Sequence, residues 1–251
     1  MASSENPKIT LHWLNRSRSP RILWLLEEFG VPYDIKIHQR DSSTNRVNPT
    51  LKDVHPLGKS PVITVGDHTL AESAVIVEYL SEHFAPSLIP AKWKPECEGK
   101  LGGETEEYMR YRYYMHYCEG SLMPLLVVLV VSSNVESTAP DVAGKINAGF
   151  LHPNFEVHFA FLEEQLGSAP GGGPYLCGST LTGADIMLAF SLMVIMSELG
   201  DRGLGNLKQE THPKLLAHVE LLKGSRSYMR TVDKMLELDG ESQPQGVYRL
   251  W

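Results

Sequence analysis

Between His55 and Ser73 the chain gathers residue types that suit a peptide-like anion. Pro61 stands directly ahead of the β-branched run Val62-Ile63-Thr64-Val65, which places it at the start of a strand and makes Ser60-Pro61 a candidate cis bond. A cis bond there would turn the Ser60 backbone outward, where it can pair with the peptide groups of a ligand. After a turn at Gly66-Asp67-His68, Glu72 and Ser73 precede Ile76, Val77, Leu80 and Phe84, which have helical spacing. Ser73 therefore falls where the first N–H groups of a helix lack partners and the helix dipole favours negative charge. A carboxylate is the expected guest. Gly58-Lys59-Ser60 looks like the end of a phosphate-binding loop, but the earlier glycine is missing and a strand follows where that loop needs a helix.

The flanking pattern supplies elements to position these residues. Ile9 to Leu14 reads as a strand, and Pro20 opens a helix carrying Ile22, Leu25, Leu26 and Phe29 on one face. Gly30 stops that helix, and Tyr33, Ile35 and Ile37 alternate as a second strand parallel to the first. A polar connection from Gln39 to Asp53, with Asn45, Asn48 and Pro49, leads to the Pro61 strand, a hairpin, and a helix from Ala74 to Phe84. Prolines 86, 90 and 95 then mark a boundary. Beyond it the patterning is helical, as in Phe155, Phe159, Leu162 and Leu166, while Pro140 to Gly149 and Pro170 to Pro174 read as loops. These signs give an α/β domain at 7–86 and an all-α domain at 96–239.

Composition narrows the classes of function. A formal charge of −7 with no cluster of Lys and Arg argues against nucleic acid. Three scattered cysteines, Cys97, Cys118 and Cys177, form neither a disulfide framework nor a zinc pattern, which fits a reducing compartment and a cytoplasmic location. Residues Met1 to Pro7 read as a loose leader and Asp239 to Trp251 as a short tail. The most membrane-like run, Leu125 to Val131, is far short of the ~20 residues that span a bilayer, so it reads as core helix and no stable membrane insertion is expected. Ten histidines form no ligand motif, so no metal is expected.

The Leu57-Gly58-Lys59-Ser60-Pro61-Val62 turn followed by Ala71-Glu72-Ser73 resembles the glutathione-binding half of the cytosolic glutathione S-transferase superfamily, most of all its fungal members. The resemblance implies a thioredoxin-like N-terminal domain (βαβ-ββα) and an all-helical C-terminal domain. It implies that Ser60 and Pro61 hold the cysteinyl part of glutathione and that Glu72 and Ser73 hold the γ-glutamyl ammonium and carboxylate; Lys59 reads equally as a contact to the glycyl carboxylate or as a solvated surface charge. Glutathione would be a co-substrate, with no separate cofactor, and the chain would form a two-fold homodimer.

Such an enzyme accelerates reaction by stabilising the thiolate, because a free thiol with a pKa of ~8.5 is mostly protonated at neutral pH. The donor is expected in the loop Asn15-Arg16-Ser17-Arg18-Ser19-Pro20. Ser17 stands first, where theta-like relatives place an activating serine; Asn15 is second, resembling asparagine-using fungal relatives; Ser19 is third, or an N-cap. Neither Tyr nor Cys occurs in that loop, which turns attention from thiol exchange to conjugation of a small apolar electrophile, or to peroxide reduction. A non-catalytic glutathione-binding or regulatory protein with the same fold is the alternative.

In the helical domain, Leu181-Thr182-Gly183-Ala184-Asp185-Ile186 reads as a capping box, with Asp185 structural. Tyr108, Tyr111, Tyr113, Tyr114 and Tyr117, with Met109 and Met115, serve equally as an acceptor pocket, as packing or as dimer contacts.

Overall fold

The computed structural model describes residues 8–40, 47, 49–200 and 207–239, with the side chains of 197–200 excepted. The leader Met1 to Pro7, Asn45 and Asn48 of the polar connection, and the tail beyond Asp239 lie outside the described residues. The chain forms two compact units, one containing residues up to Ala85 together with the segment from Arg226, the other Pro86–Ser225.

The first unit is built on a four-stranded sheet in the order β2-β1-β3-β4, with β1 Ile9–Trp13, β2 Tyr33–Ile37, β3 Val62–Val65 and β4 His68–Ala71. β1 runs parallel to β2 and antiparallel to β3, and β3 pairs antiparallel with β4. The parallel pair requires a crossover, supplied by α1 Ser19–Phe29. Pro20 sits in its first turn, and Gly30 ends it in the left-handed conformation with its N–H bonded to Leu26 O at 3.1 Å. α2, Ser73–Phe84, buries Ile76, Val77 and Leu80. This is a thioredoxin-like domain.

The last described helix, α9 Arg226–Asp239, also belongs to this unit, although the sequence pattern runs the helical domain through residue 239. The physical reason is its partners. The Trp24 indole donates to Ser227 Oγ (3.0 Å), which donates in turn to Glu28, and Arg230 Nε meets Glu27 Oε2 at 2.9 Å. Tyr228 packs edge-on against Trp24 with ring centres 5.2 Å apart, and Trp13 Nε1 donates to Asp239 Oδ1 at 2.9 Å. Buried Ser227, Tyr228 and Thr231 give α9 a single inner face, which the periodicity shows without saying which unit it meets.

Among the described residues the second unit is all-helical apart from isolated bridges. α3 Glu106–Tyr117, a π-turn at Cys118–Leu122 and α4 Met123–Glu136 form one uninterrupted helical run of 31 residues. By length and composition this run is sufficient to cross a bilayer, a point hidden when only Leu125 to Val131 is counted. On this run Met115, Cys118, Leu122, Leu126 and Leu129 are almost fully buried, while Met109, Val127 and Val131 are exposed. Pro140 to Gly149 is helical rather than a loop. Pro140 is preorganised for a helix's first turn, and α5 Pro140–Ile146 continues through a π-turn at Asn147–Leu151 into α6 His152–Gly167. Ser132 Oγ on α4 bonds Asn147 Oδ1 at 2.9 Å, fixing that bend. α7 Gly183–Gly200 and α8 Pro213–Lys223 complete the unit.

At the start of α7 the expected capping box forms in part. Asp185 Oδ2 accepts from the Thr182 N–H at 2.8 Å, but the Thr182 hydroxyl donates to the same oxygen (2.7 Å) rather than capping the helix N–H groups.

Candidate functional site

The end of β1, the start of β3 and the start of α2 meet at one end of the sheet. Val62 pairs with both His12 and Ala71, so extending the β3–β4 register brings Pro61 level with Glu72 and Ser60 level with Ser73. The loop leaving β1 reaches the same place. Ser17 Oγ lies 3.0 Å from Ser19 Oγ and 3.5 Å from Ser60 Oγ, and Ser19 and Ser60 are 2.5 Å apart. Three hydroxyls from two segments 41 or more residues apart in sequence thus form one cluster at the N-terminus of α1.

Each hydroxyl has a different role. Ser17 donates to Leu14 O at 2.7 Å and accepts from the Ser19 N–H at 3.1 Å, so it helps satisfy the helix end that Arg18, the N-cap residue, leaves without a side-chain cap. Ser19 lies inside the helix and is fully buried. It is not the N-cap that the sequence pattern offered as one option. Ser60 donates to His12 O at 3.3 Å, and Ser60-Pro61 is cis, as the pattern suggested. Ser17 alone of the three is partly open to solvent.

Asn15 shares the loop. Its Oδ1 is enclosed without a hydrogen-bond partner among the described residues, while its main-chain oxygen accepts from Arg40 Nε at 3.2 Å. Lys59 is exposed beside Gly58, whose φ of +56° a side chain rarely adopts. Glu72 takes φ 70° and ψ 119°, a conformation that costs a non-glycine residue about 1–3 kcal/mol. In return its carbonyl accepts the first α2 bond, from Ile76 N at 3.0 Å, while its side chain stays in solvent. Ser73 is the first residue of α2 and is buried. Neither α1 nor α2 has an acidic residue in its first turn, so both positive helix ends keep their field.

Beneath the cluster lies a polar pair that sequence reasoning missed. His12 Nδ1 and His38 Nε2 are 3.1 Å apart, and His38 Nδ1 is 2.9 Å from Thr50 Oγ1. Burial, then the neighbouring His38 and Lys36, push the His12 pKa down to about 4; burial and Lys36 lower that of His38. Both rings are neutral at physiological pH. The pairing joins residues 26 apart in sequence, and no local signal announces it.

Comparison with known proteins adds to this geometry. Residues 7–82 match the glutathione S-transferase N-terminal domain model and residues 130–226 a glutathione S-transferase C-terminal domain model. Glutathione S-transferase 1 of Saccharomyces cerevisiae is 32% identical over 203 residues, covering 75% of this chain and 81% of that protein. The chain belongs to the glutathione S-transferase family of enzymes. A solved glutathione S-transferase from Actinobacillus pleuropneumoniae, 28% identical, superposes with a TM-score of 0.66 over 96% of this chain and 99% of that one. Ure2p5 of Phanerochaete chrysosporium, cocrystallised with 1-(S-glutathionyl)-2,4-dinitrobenzene, shares the fold at 15% identity and TM-score 0.68, covering 96% of this chain and all of that one.

Within this family member, the tyrosine-rich α3 divides by face. Tyr111, Tyr114 and Met115 are buried as packing. Met109, Arg112, Tyr113, His116 and Ser121, together with the buried Tyr117, line a cavity of about 500 Å³ in the helical unit, with Tyr113 stacked on Tyr117 at 5.7 Å. The Tyr117 hydroxyl is 2.6 Å from His158 Nδ1, and burial raises its pKa, so it stays protonated. Cys177 is buried 3.7 Å from the Thr182 hydroxyl that bonds it, and its pKa is pushed up to about 12 by burial and by Asp185, which makes it a poor nucleophile.

Proposed function

We propose that this protein is a glutathione transferase that binds glutathione at Lys59, Ser60, Pro61, Glu72 and Ser73, holds its sulfur as the thiolate with Ser17 as donor, and presents it to a small apolar electrophile. The hydroxyl cluster linking Ser17 to Ser60 at the N-terminus of α1 is the observation that carries this reading, because it joins the donor loop to the turn assigned to the cysteinyl group. Glu72 supplies a solvent-side carboxylate for the γ-glutamyl ammonium, and the start of α2 supplies N–H groups and field for its carboxylate.

The energetics are modest. Bringing a thiol pKa from ~8.5 to ~6.5 takes about 2.7 kcal/mol of selective stabilisation of the anion. Ser17 gives its proton to Leu14 O, so serving sulfur means giving up one neutral hydrogen bond, worth about 1 kcal/mol, for a charge-assisted bond roughly twice as strong. The field of α1 acts on the same charge. Asn15, in the same loop, is the second candidate donor. The thiolate attacks an electron-poor carbon, a carbon–sulfur bond forms, and the leaving group departs with its electron pair as a halide. Peroxide reduction would start from the same thiolate.

The test is conjugation of glutathione to 1-chloro-2,4-dinitrobenzene by the purified full chain. Turnover well above the uncatalysed rate is expected, with Ser17→Ala lowering kcat and Glu72→Gln raising KM for glutathione. Binding of S-methylglutathione without turnover of any haloarene or hydroperoxide would overturn the reading in favour of a non-catalytic binder.

A further inference from the structure

Arg40 lies just past β2 and reaches across to the loop that leaves β1. Its Nε donates to the main-chain oxygen of Asn15 at 3.2 Å, and its Nη2 donates to that of Arg16 at 3.0 Å. The planar guanidinium makes a fork that can hold two successive carbonyls in fixed relation, which a lysine ammonium on a flexible stem does poorly. The residue between those carbonyls needs holding. Arg16 sits at φ 51°, a left-handed conformation that a non-glycine residue keeps only when its surroundings impose it.

The cation is itself placed at a cost. Burial, and then the like charge of Arg16, lower its pKa, so the two carbonyls must repay its partial loss of water. On the opposite side the loop begins at Trp13, whose indole is tied to Asp239 and whose carbonyl accepts from His38 N at 2.7 Å. The loop is therefore anchored at its base and gripped across its crest. The gripped peptides carry the N–H groups of Arg16 and Ser17, and a carbonyl that accepts from a guanidinium polarises the N–H of its own peptide.

We propose that Arg40 is a positioning residue for the thiol site: its guanidinium sets the turn at Arg16 and thereby the placement of the Asn15 and Ser17 donors, without touching glutathione itself. This rests on the thiol-activating reading above. Nothing in the local pattern marks Arg40, since its partners lie 24 and 25 residues earlier in the chain.

The experiment uses the full chain with Arg40→Met and Arg40→Lys. Three readouts are compared with wild type: the pH profile of kcat/KM with 1-chloro-2,4-dinitrobenzene, the affinity for S-methylglutathione by calorimetry, and amide hydrogen exchange over residues 15–19. Arg40→Met should shift the thiol limb of the profile upward by about one pH unit, lower kcat ~10-fold or more, and speed exchange at the Ser17 and Ser19 amides. S-methylglutathione affinity should change less than ~3-fold, and Arg40→Lys should fall between, carrying the test alone if Arg40→Met does not fold. An unchanged pH profile and kcat would overturn the proposal, as would a fall in S-methylglutathione affinity equal to the loss of kcat/KM, which would make Arg40 a ligand contact. Failure of the underlying reading is seen without any substitution, as a wild-type protein that binds S-methylglutathione yet leaves the thiol of bound glutathione at its free pKa, and that result overturns both.

Discussion

The starts of α1 and α7 place hydroxyls and main-chain N–H groups together in similar ways, yet they differ in one respect. α7 carries its own anion: Asp185 is fully buried and its carboxylate accepts from Leu176 N, Thr182 N and the Thr182 hydroxyl, with His218 Nε2 a further 3.6 Å away. Among the described residues α1 carries no carboxylate at its start, where Ser17, Ser19 and Ser60 place hydroxyls that can rotate between partners. A helix end closed by an internal carboxylate is a structural joint. One lined with hydroxyls can receive an anion from outside, and there the folding energy left unspent at the cap becomes available to a ligand.

Removing the anion from α7 is the harshest way to test this contrast. Asp185→Ala should cost ~3 kcal/mol or more of stability in urea unfolding, because it leaves buried N–H groups unpaired, while turnover per folded molecule stays near wild type. Ser17→Ala should show the reverse pattern, with kcat/KM at pH 6.5 down ~5- to 10-fold but stability down no more than ~1 kcal/mol, the usual cost of losing one capping oxygen. Equal stability losses in the two variants would break the comparison.

Beneath α1's end, the neutral histidine pair gives the first unit a pH dependence of definite sign. The His12 pKa is near 4 in the folded protein against an ordinary 6.5, so between these values the unfolded chain binds more protons and stability rises with pH. The contribution is fully present above pH 6.5 and is lost as pH falls toward 4; it should amount to no more than ~3 kcal/mol and be absent from the pH slope of His12→Phe. The smallest effect is expected at Glu72. Glu72→Gly should relieve its positive φ and leave stability unchanged or up to ~1 kcal/mol higher, while weakening glutathione binding ~10-fold, as measured by calorimetry.

Legibility in the sequence followed distance along the chain. Lys59, Ser60, Pro61, Glu72 and Ser73 lie within 15 residues of one another, and their turn, strand start and helix start are set by neighbours in sequence. The order of strands and helices in the first unit was legible for the same reason, through Pro20, Gly30 and the alternation of β2. The capping carboxylate Asp185 was also legible, three residues from Thr182, although the hydroxyl bonds it rather than the helix. What escaped was set by partners far away. α9 docks on α1 through pairs 199 and 203 residues apart, and Arg40 and the His12–His38 pair act across the sheet's first crossover. Pro140 to Gly149 misled for another reason, since proline and glycine there mark a helix start and a π-turn instead of a loop.

The most direct measurement is an ultraviolet difference titration of bound glutathione between pH 5 and 9, following thiolate absorbance in wild type, Ser17→Ala and Asn15→Ala. Wild type should hold the thiol about two units below its free pKa, and Ser17→Ala should raise it by about one unit. A bound thiol that titrates at its free value in wild type, or one whose lowered pKa is unchanged by Ser17→Ala, would contradict the claim that the α1 hydroxyl cluster is where this chain stabilises an anion.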